Sequence, residues 1–150
     1  MNKKILVIIP AYNEEKSIEK TVRKLIKLKY DYVVINDGSK DTTPKILDEN
    51  NFNHIDLVHN LGIGGAVQTG YKYAKENGYD IAVQFDGDGQ HDENYIKKIT
   101  DPLLNEKADL TVGSRFLDEK SSGFKSTKMR ILGIKIISFF IKLKTGKKIY

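Results

Sequence analysis

Short apolar runs alternate along the chain with segments in which apolar residues recur every three or four positions. A run that is apolar at consecutive positions would be buried on both faces as a strand, which is typical of the inner strands of a parallel sheet. Five short runs rich in apolar residues predict strands at Ile5–Ile9, Tyr32–Asn36, Ile55–His59, Ile81–Phe85 and Leu110–Ser114.

The segments between these runs have the period of helices. Residues 17–28 place Ile18, Val22, Leu25 and Ile26 on one face, with Lys and Glu on the other. Further helices are predicted at Gly64–Lys75 and Asn94–Leu104, and a short one opens at Pro44 behind a threonine cap. Strands that alternate with helices predict an α/β fold with a mostly parallel sheet flanked by helices. Such folds bind ligands beyond the carboxyl ends of their strands.

The composition limits the classes of protein to which this chain can belong. A chain of 150 residues and 17.0 kDa suits one domain with a real core. The absence of cysteine excludes a disulfide scaffold and a thiolate metal site. No apolar run approaches the ~18–20 residues of a membrane span, and the first run is too short for a signal peptide.

The charge is distributed unevenly. The net charge is +5, yet residues 1–119 hold 16 Lys and Arg and all 20 Asp and Glu. Residues 120–150 hold 9 basic residues and no acid. A basic tail on a mildly acidic body predicts an anionic partner, either nucleic acid or phospholipid.

Polar and glycine residues cluster directly after the predicted strands. Asp86 and Asp88 flank a glycine, so that a tight turn could aim both carboxylates at one Mg²⁺ or Mn²⁺ ion. A plain surface turn is the alternative reading of these two residues. A calcium-binding EF-hand is excluded, because Lys97 stands where that loop needs a bidentate Glu. The glycine loop at residues 62–65 lacks the third glycine of a dinucleotide fingerprint and follows the third strand instead of the first.

Taken together, the loops resemble those of family 2 glycosyltransferases, which have the Rossmann-like GT-A fold. The blocks that carry the resemblance are Ile9–Glu15, Asn36–Ser39, Asn60–Ala66, Asp86–His91 and Gly113–Phe116. Their order and spacing are most similar to the dolichyl- or polyprenyl-phosphate mannose and glucose synthases, from about Lys4 to about Ile141. The resemblance implies inverting transfer of a sugar from a UDP- or GDP-linked donor to a polyprenyl phosphate.

The same resemblance implies roles for individual residues. Pro10, Ala11, Tyr12 and Glu14 would line the nucleobase pocket, and Asp37 would accept hydrogen bonds from the base or ribose. Gly62, Gly64 and Gly65 would let the backbone approach the nucleotide, beside the D-x-D segment of Asp86, Gly87 and Asp88. Asp88 would bind the Mg²⁺ or Mn²⁺ directly, with Asp86 shared with the ribose and Gln90 as a further ligand. Arg115 would pair with the diphosphate.

The resemblance also suggests that residues 1–150 are the nucleotide-sugar-binding part of a domain that is incomplete at its C-terminal side. The catalytic base is then expected beyond Tyr150, and the fragment alone is not expected to complete the transfer. This interpretation predicts a cytoplasmic protein, peripheral at the inner face of the cell membrane, whose full-length form carries membrane segments.

The basic tail admits two interpretations. Met129–Leu143 has a broad apolar face, with Lys135 and Lys142 near one another on a helix, so it is either a core-packing helix or an interfacial one. In the second case Met129–Lys148 would bind an anionic membrane surface. A nucleic-acid-binding module is the rival function, but the tail contains no recognisable module and no nucleic-acid partner is expected. A sugar-1-phosphate nucleotidyltransferase is the other rival, but it would want a basic, glycine-rich loop where Pro10–Glu15 stands.

Overall fold

The computed structural model describes residues 3–87 and 95–113, together with residues 133, 137–139 and 143–144. The chain divides into two compact units, Met1–Val112 and Gly113–Tyr150. The first unit contains the strands and helices that follow. The assignment of residues 1–150 to one incomplete glycosyltransferase domain stays a prediction.

Among the described residues of the first unit, four parallel strands alternate with four helices. The strands are β1 (Ile5–Ala11), β2 (Asp31–Asn36), β3 (His54–Asp56) and β4 (Ile81–Gln84). The helices are α1 (Ile18–Lys27), α2 (Thr43–Glu49), α3 (Gly62–Glu76) and α4 (Tyr95–Leu104). The strand order is β3-β2-β1-β4, and every pairing is parallel. The predicted α/β fold with a parallel sheet is confirmed.

The sheet is buried on both faces because β1, an inner strand, alternates its apolar side chains between two core clusters. Val7 and Ile9 pack with residues of α1, α2 and α4 on one face. Leu6 and Ile8 pack with residues of α3 on the other. Each fully buried aliphatic side chain of this kind contributes about 1.5–3 kcal/mol to folding. The result is a rigid frame whose loops emerge at the carboxyl ends of the strands.

Helix α3 lies unusually close to the sheet at Gly70, which is buried. A Cβ atom at this position would overlap the side chain of Ile8, whose exposed fraction is zero. A residue without a side chain therefore sets the distance between α3 and β1.

Two predicted strands differ from the structure by more than two residues at one end. The third is shorter than Ile55–His59, because β2 ends at Asn36 and offers no ladder partner beyond Asp56. The prediction of a strand at Leu110–Ser114 is wrong for residues 110–113, which are not in a strand, and Ser114 lies outside the described residues. Leu110 and Val112 are 80% and 79% exposed. An apolar run forms a buried strand only where another strand offers its backbone, and residues 110–113 pair with none among the described residues.

Candidate functional site

Three strands end side by side at the carboxyl edge of the sheet around β1. Because β1 pairs with β2 on one side and β4 on the other, the loop after β1 begins between the points where the loops after those two strands begin. The chain adds β2 and β3 on one side of β1 and then returns to place β4 on the opposite side. Open α/β sheets bind ligands where the strand order reverses in this way. The pair β1–β4 is that position here.

Asp37 links the end of β1 to the segments that follow β2 and β3. Its side chain is only 3% exposed, and its Oδ1 accepts a hydrogen bond of 2.7 Å from the backbone N–H of Leu61. Its own N–H donates to the carbonyl of Ala11 at 2.9 Å. A carboxylate offers about four acceptor positions on its two oxygens. Asp37 therefore fixes the start of α3, and its bond to Leu61 uses only one of these acceptor positions.

The glycine loop exposes its backbone at two of its three predicted positions. Gly62 has a φ of +75°, and a Cβ at Gly62 or Gly64 would meet no atom within 4 Å. The N–H of Gly62 donates to Oδ1 of Asn60 at 3.0 Å, which holds the turn. Gly65 differs, because a Cβ there would run into the side chain of Leu61. Backbone approach by a ligand is thus sterically open at Gly62 and Gly64, while Gly65 serves packing inside the loop.

Asp86 and Gly87 follow β4 at the position where the strand order reverses. Asp86 is half-buried, and the amide Nε2 of Gln84 donates to its Oδ1 at 3.1 Å. Gly87 is buried, and a Cβ there would lie 3.2 Å from the carbonyl oxygen of Pro10. Gly87 therefore lies close against the end of β1, where a side chain would crowd the carbonyl group of Pro10.

The other members of the predicted cation and diphosphate site, Asp88, Gln90 and Arg115, lie outside the described residues. Among the residues that the structure does describe, no three His, Cys, Asp or Glu form a group that could hold a metal ion. The donor chemistry of Asp86 nevertheless fits Mg²⁺ or Mn²⁺, since these cations are commonly held by one or two carboxylates together with substrate phosphates. The predicted ligand set remains a prediction.

The residues predicted to line a nucleobase pocket differ in how exposed their side chains are. Pro10 and Ala11 are buried at the end of β1, whereas the ring of Tyr12 is 44% exposed. Glu14 is half-buried, and its Oε2 accepts a hydrogen bond of 2.6 Å from the hydroxyl of Ser17. Tyr12 is the member of this set whose side chain is open to a ligand.

The loops after β1 and β2 are tied to each other by hydrogen bonds. The N–H of Asn13 donates to Oγ of Ser39 at 3.0 Å, and Oδ1 of Asn13 accepts from the N–H of Lys40 at 2.8 Å. The N–H of Glu14 donates to Oγ1 of Thr43 at 2.9 Å. Apart from Glu14, these residues were not among the predicted site residues, although a loop rich in Asn, Asp, Ser and Thr favours side-chain bonds to the backbone.

Asp41 is the charged centre of this network. Its Oδ2 accepts from the N–H of Glu15 at 3.1 Å, and its Oδ1 accepts from the N–H of Thr43 at 2.9 Å. Burial is the largest single influence and raises the pKa of this carboxyl, but the hydrogen bonds from Thr43 and Glu15 together outweigh it. The pKa of Asp41 is therefore lowered, and the ionised form is the one that the two loops stabilise.

An open groove of about 490 Å³ lies beside this network. It is lined by residues of both loops, namely Asn13, Glu14, Glu15, Lys16, Lys40 and Asp41.

In the part of the chain that the structure describes, no helix combines the length and apolar character needed to cross a membrane.

The sequence pattern that defines glycosyl transferase family 2 matches residues 6–149 of the chain. The chain is 41% identical to UDP-N-acetylglucosamine–dolichyl-phosphate N-acetylglucosaminyltransferase of Methanococcus voltae, over 93% of the chain and 64% of that protein. It is 32% identical to polyprenol monophosphomannose synthase of Mycolicibacterium smegmatis, over 75% of the chain and 45% of that protein. The chain thus spans about half to two thirds of the length of these relatives.

A solved structure shares the fold. The glucosyl-3-phosphoglycerate synthase of Mycobacterium tuberculosis, crystallised with Mn²⁺, uridine diphosphate and glucosyl-3-phosphoglycerate, superposes with a TM-score of 0.56. The alignment covers 69% of this chain and 40% of that one at 24% identity. At this identity the likeness establishes the fold alone, and it agrees with the parallel sheet described above.

Proposed function

The chain belongs to glycosyl transferase family 2, and on this basis we propose that it binds a nucleotide-diphospho-sugar as the donor part of an inverting glycosyltransferase. The observation that carries the proposal is that β2, β1 and β4 end side by side where the strand order reverses, with Asp37 directly after β2 and Asp86 two residues after β4. The acceptor is a polyprenyl phosphate. The names of the two relatives, which specify dolichyl phosphate and polyprenol, support this acceptor class.

In this proposal the nucleoside lies against the loops after β1 and β2. The exposed ring of Tyr12 offers a surface on which a base can stack, at the end of the wall formed by Pro10 and Ala11. Asp37 uses one carboxylate oxygen to hold Leu61 and accepts from the base or ribose with its remaining capacity. The open backbone at Gly62 and Gly64 allows close approach of the nucleotide.

Asp86 would hold Mg²⁺ or Mn²⁺ together with Asp88 and Gln90. A divalent cation at this position would neutralise the charge that develops on the departing nucleoside diphosphate. Arg115 would assist through its planar guanidinium group, which matches phosphate oxygens. A lipid phosphate is already anionic, so it can attack the sugar without a base to remove a proton.

The rival functions have less support. The loop after β1 contains no glycine and carries Glu14 and Glu15, whereas a sugar-1-phosphate nucleotidyltransferase would want a basic glycine-rich loop there. Binding of the polyprenyl phosphate places the protein at a membrane surface, and the basic segment Met129–Lys148 is the proposed contact with anionic lipid. The proposed location is the cytoplasmic face of the cell membrane.

Two aspartates at opposite ends of β4 allow a matched test of the cation site. Asp80 precedes the strand and accepts from the N–H of Lys4 at the amino edge of the sheet, whereas Asp86 follows the strand at the carboxyl edge. Calorimetry of UDP and GDP binding with Mn²⁺ should show an affinity that falls about tenfold in Asp86→Asn, equivalent to ~1.4 kcal/mol. Asp80→Asn should bind the same nucleotide with the same affinity as the unchanged protein.

A chelator should weaken binding to the unchanged protein and have little further effect on Asp86→Asn. The donor-site proposal fails if neither nucleotide binds to the unchanged protein. If the nucleotide binds equally well to both variants and with chelator present, the role of the carboxylate in holding a cation is refuted. Transfer of radiolabelled sugar from the preferred nucleotide to a short polyprenyl phosphate then tests the acceptor class.

A further inference from the structure

We propose that Asn13 is a positioning residue whose contacts with the loop after β2 hold the nucleotide-binding loops in register before the nucleotide arrives. This inference rests on the proposed function, because it assigns these contacts a role in binding the nucleotide of the donor. The clamp is defined as the reciprocal contact of Asn13 with Ser39 and Lys40.

The clamp joins the two loops in both directions. Asn13 donates its backbone N–H to the hydroxyl of Ser39 at 3.0 Å, and its side-chain oxygen accepts from the N–H of Lys40 at 2.8 Å. One residue thereby satisfies a donor on its own loop and a donor on the facing loop. Neither bond lies within the ladder of β1 and β2, whose last pair is Ala11 with Asn36, so the two bonds continue the pairing of the strands into the loops.

Two further bonds extend the clamp in the same direction. The next two amides, of Glu14 and Glu15, donate to side-chain oxygens of Thr43 and Asp41 at 2.9 and 3.1 Å. Three consecutive N–H groups of the loop after β1 are therefore satisfied by side chains of the segment after β2. Such a repeated pattern fixes the path of one loop against the other more firmly than a single contact could.

Asparagine is suited to this position for two reasons. Its φ is +57°, a left-handed conformation that strains most side chains but that Asn tolerates. Its carboxamide oxygen supplies the acceptor for Lys40. Glycine would adopt the same φ without strain, yet it would lose the acceptor and make the free loop more flexible.

The clamp lies beside the residues proposed to touch the nucleotide. Tyr12 directly precedes Asn13, and Asp37 stands two residues before Ser39. Fixing Asn13 against Ser39 therefore fixes the backbone of Tyr12 relative to that of Asp37. A ligand that contacts both residues then binds loops that are already ordered, which lowers the entropy cost of binding.

The test compares two asparagines that share a left-handed backbone. Asn51 has a φ of +51° and lies just after α2, next to β3, so Asn51→Gly is a matched control for Asn13→Gly. Asn13→Asp is the conservative variant, because it keeps an acceptor for the N–H of Lys40. Nucleotide affinity is measured by calorimetry with UDP or GDP and Mn²⁺, and hydrogen–deuterium exchange is measured on the same proteins without nucleotide.

Asn13→Gly and Ser39→Ala should each weaken nucleotide binding about fivefold or more. Asn51→Gly should leave it unchanged, and Asn13→Asp should restore most of the affinity lost in Asn13→Gly. Exchange without nucleotide should rise at residues 13–15 and at residue 40 in Asn13→Gly but not in Asn51→Gly. Rescue by Asp with no change in melting temperature separates positioning from a general loss of stability.

Equal affinity of Asn13→Gly and the unchanged protein would overturn the inference while leaving the proposed function intact. If the unchanged protein binds no nucleotide, the proposed function fails. The exchange measurement then decides whether Asn13 orders the two loops. Unchanged exchange in Asn13→Gly would refute the clamp in that case as well.

Discussion

Replacing Gly70 by alanine should destabilise the protein, although alanine is the better helix former. Gly70 lies in the interior of α3, where the exchange of Gly for Ala by itself would stabilise the helix by about 0.8–1.0 kcal/mol. The new methyl group, however, has no space. Its carbon would overlap Cγ2 of Ile8 and lie only 3.0 and 3.1 Å from Cγ1 and Cδ1 of the same side chain.

Because Ile8 is fully buried in β1, its side chain cannot swing into solvent to make room. Either α3 must move away from the sheet or Ile8 must adopt a strained rotamer, and overpacking of this kind costs about 1–3 kcal/mol. Every branch of the Ile8 side chain is affected, so we expect the upper part of that range. After the gain in helix propensity is subtracted, Gly70→Ala should lower the free energy of unfolding by about 1–2 kcal/mol.

Gly64 provides the matched control in the same helix. A Cβ at Gly64 would meet no atom within 4 Å, so Gly64→Ala should be neutral or stabilise by up to ~1 kcal/mol. Urea denaturation followed by circular dichroism measures both variants, whose free energies of unfolding should differ by about 1–3 kcal/mol. Thermal scans should then give melting temperatures about 2–12 °C apart at ~2–4 °C per kcal/mol. Ile8→Ala removes the obstructing atoms, so the double variant with Gly70→Ala should lose less stability than the sum of the two single changes.

If Gly70→Ala proved as stable as Gly64→Ala, the close approach of α3 to β1 would be refuted. Strict additivity of the changes at positions 70 and 8 would likewise contradict the contact between them. A stable Gly70→Ala together with additivity would mean that α3 packs on the sheet elsewhere along its length.

Three further predictions concern charge. Because the pKa of Asp41 is lowered in the folded protein, the stability that its ionised form contributes should be complete above about pH 5 and lost as pH falls below ~4. The difference in free energy of unfolding between the unchanged protein and Asp41→Asn should therefore shrink as the pH falls, and a difference that stays constant with pH would contradict this prediction. Asp37→Ala leaves the N–H of Leu61 without its acceptor and should cost about 1–3 kcal/mol in urea denaturation, whereas no loss would show that this bond is dispensable. Binding to anionic but not neutral vesicles, weakened by salt and by the double change Lys135→Glu/Lys142→Glu, is expected if the basic tail contacts a membrane; equal sedimentation with both vesicle types would refute it.

The sequence alone was sufficient for the class of fold. Consecutive burial of residues such as Leu6, Val7, Ile8 and Ile9 requires helices on both faces of a sheet, and the helical period of residues 18–27 supplies one of them. Local patterns of this kind depend on the geometry of one strand or helix at a time. Asp37 and Asp86 could also be singled out, because each stands directly after a run that was predicted to form a strand.

Sequence patterns predicted strands less reliably where the strand must pair with a distant segment of the chain. Leu110 and Val112 alternate with polar residues as a strand would, yet residues 110–113 are not in a strand and those two side chains are largely exposed. The third strand ends at Asp56 because its neighbour β2 ends at Asn36, which no property of residues 57–59 reveals. Strand pairing is decided by what the rest of the fold places alongside, not by the apolar run itself.

The contacts of Asn13 show most clearly what only the tertiary structure decided. Asn13 and Ser39 are 26 positions apart, and nothing in the sequence of either loop indicates that they are in contact. They meet because β1 and β2 pair in a register that sets Ala11 opposite Asn36, so each loop leaves the sheet at the same level. The sequence determined which residues stand in the loops, and the register of the strands determined which of them face each other.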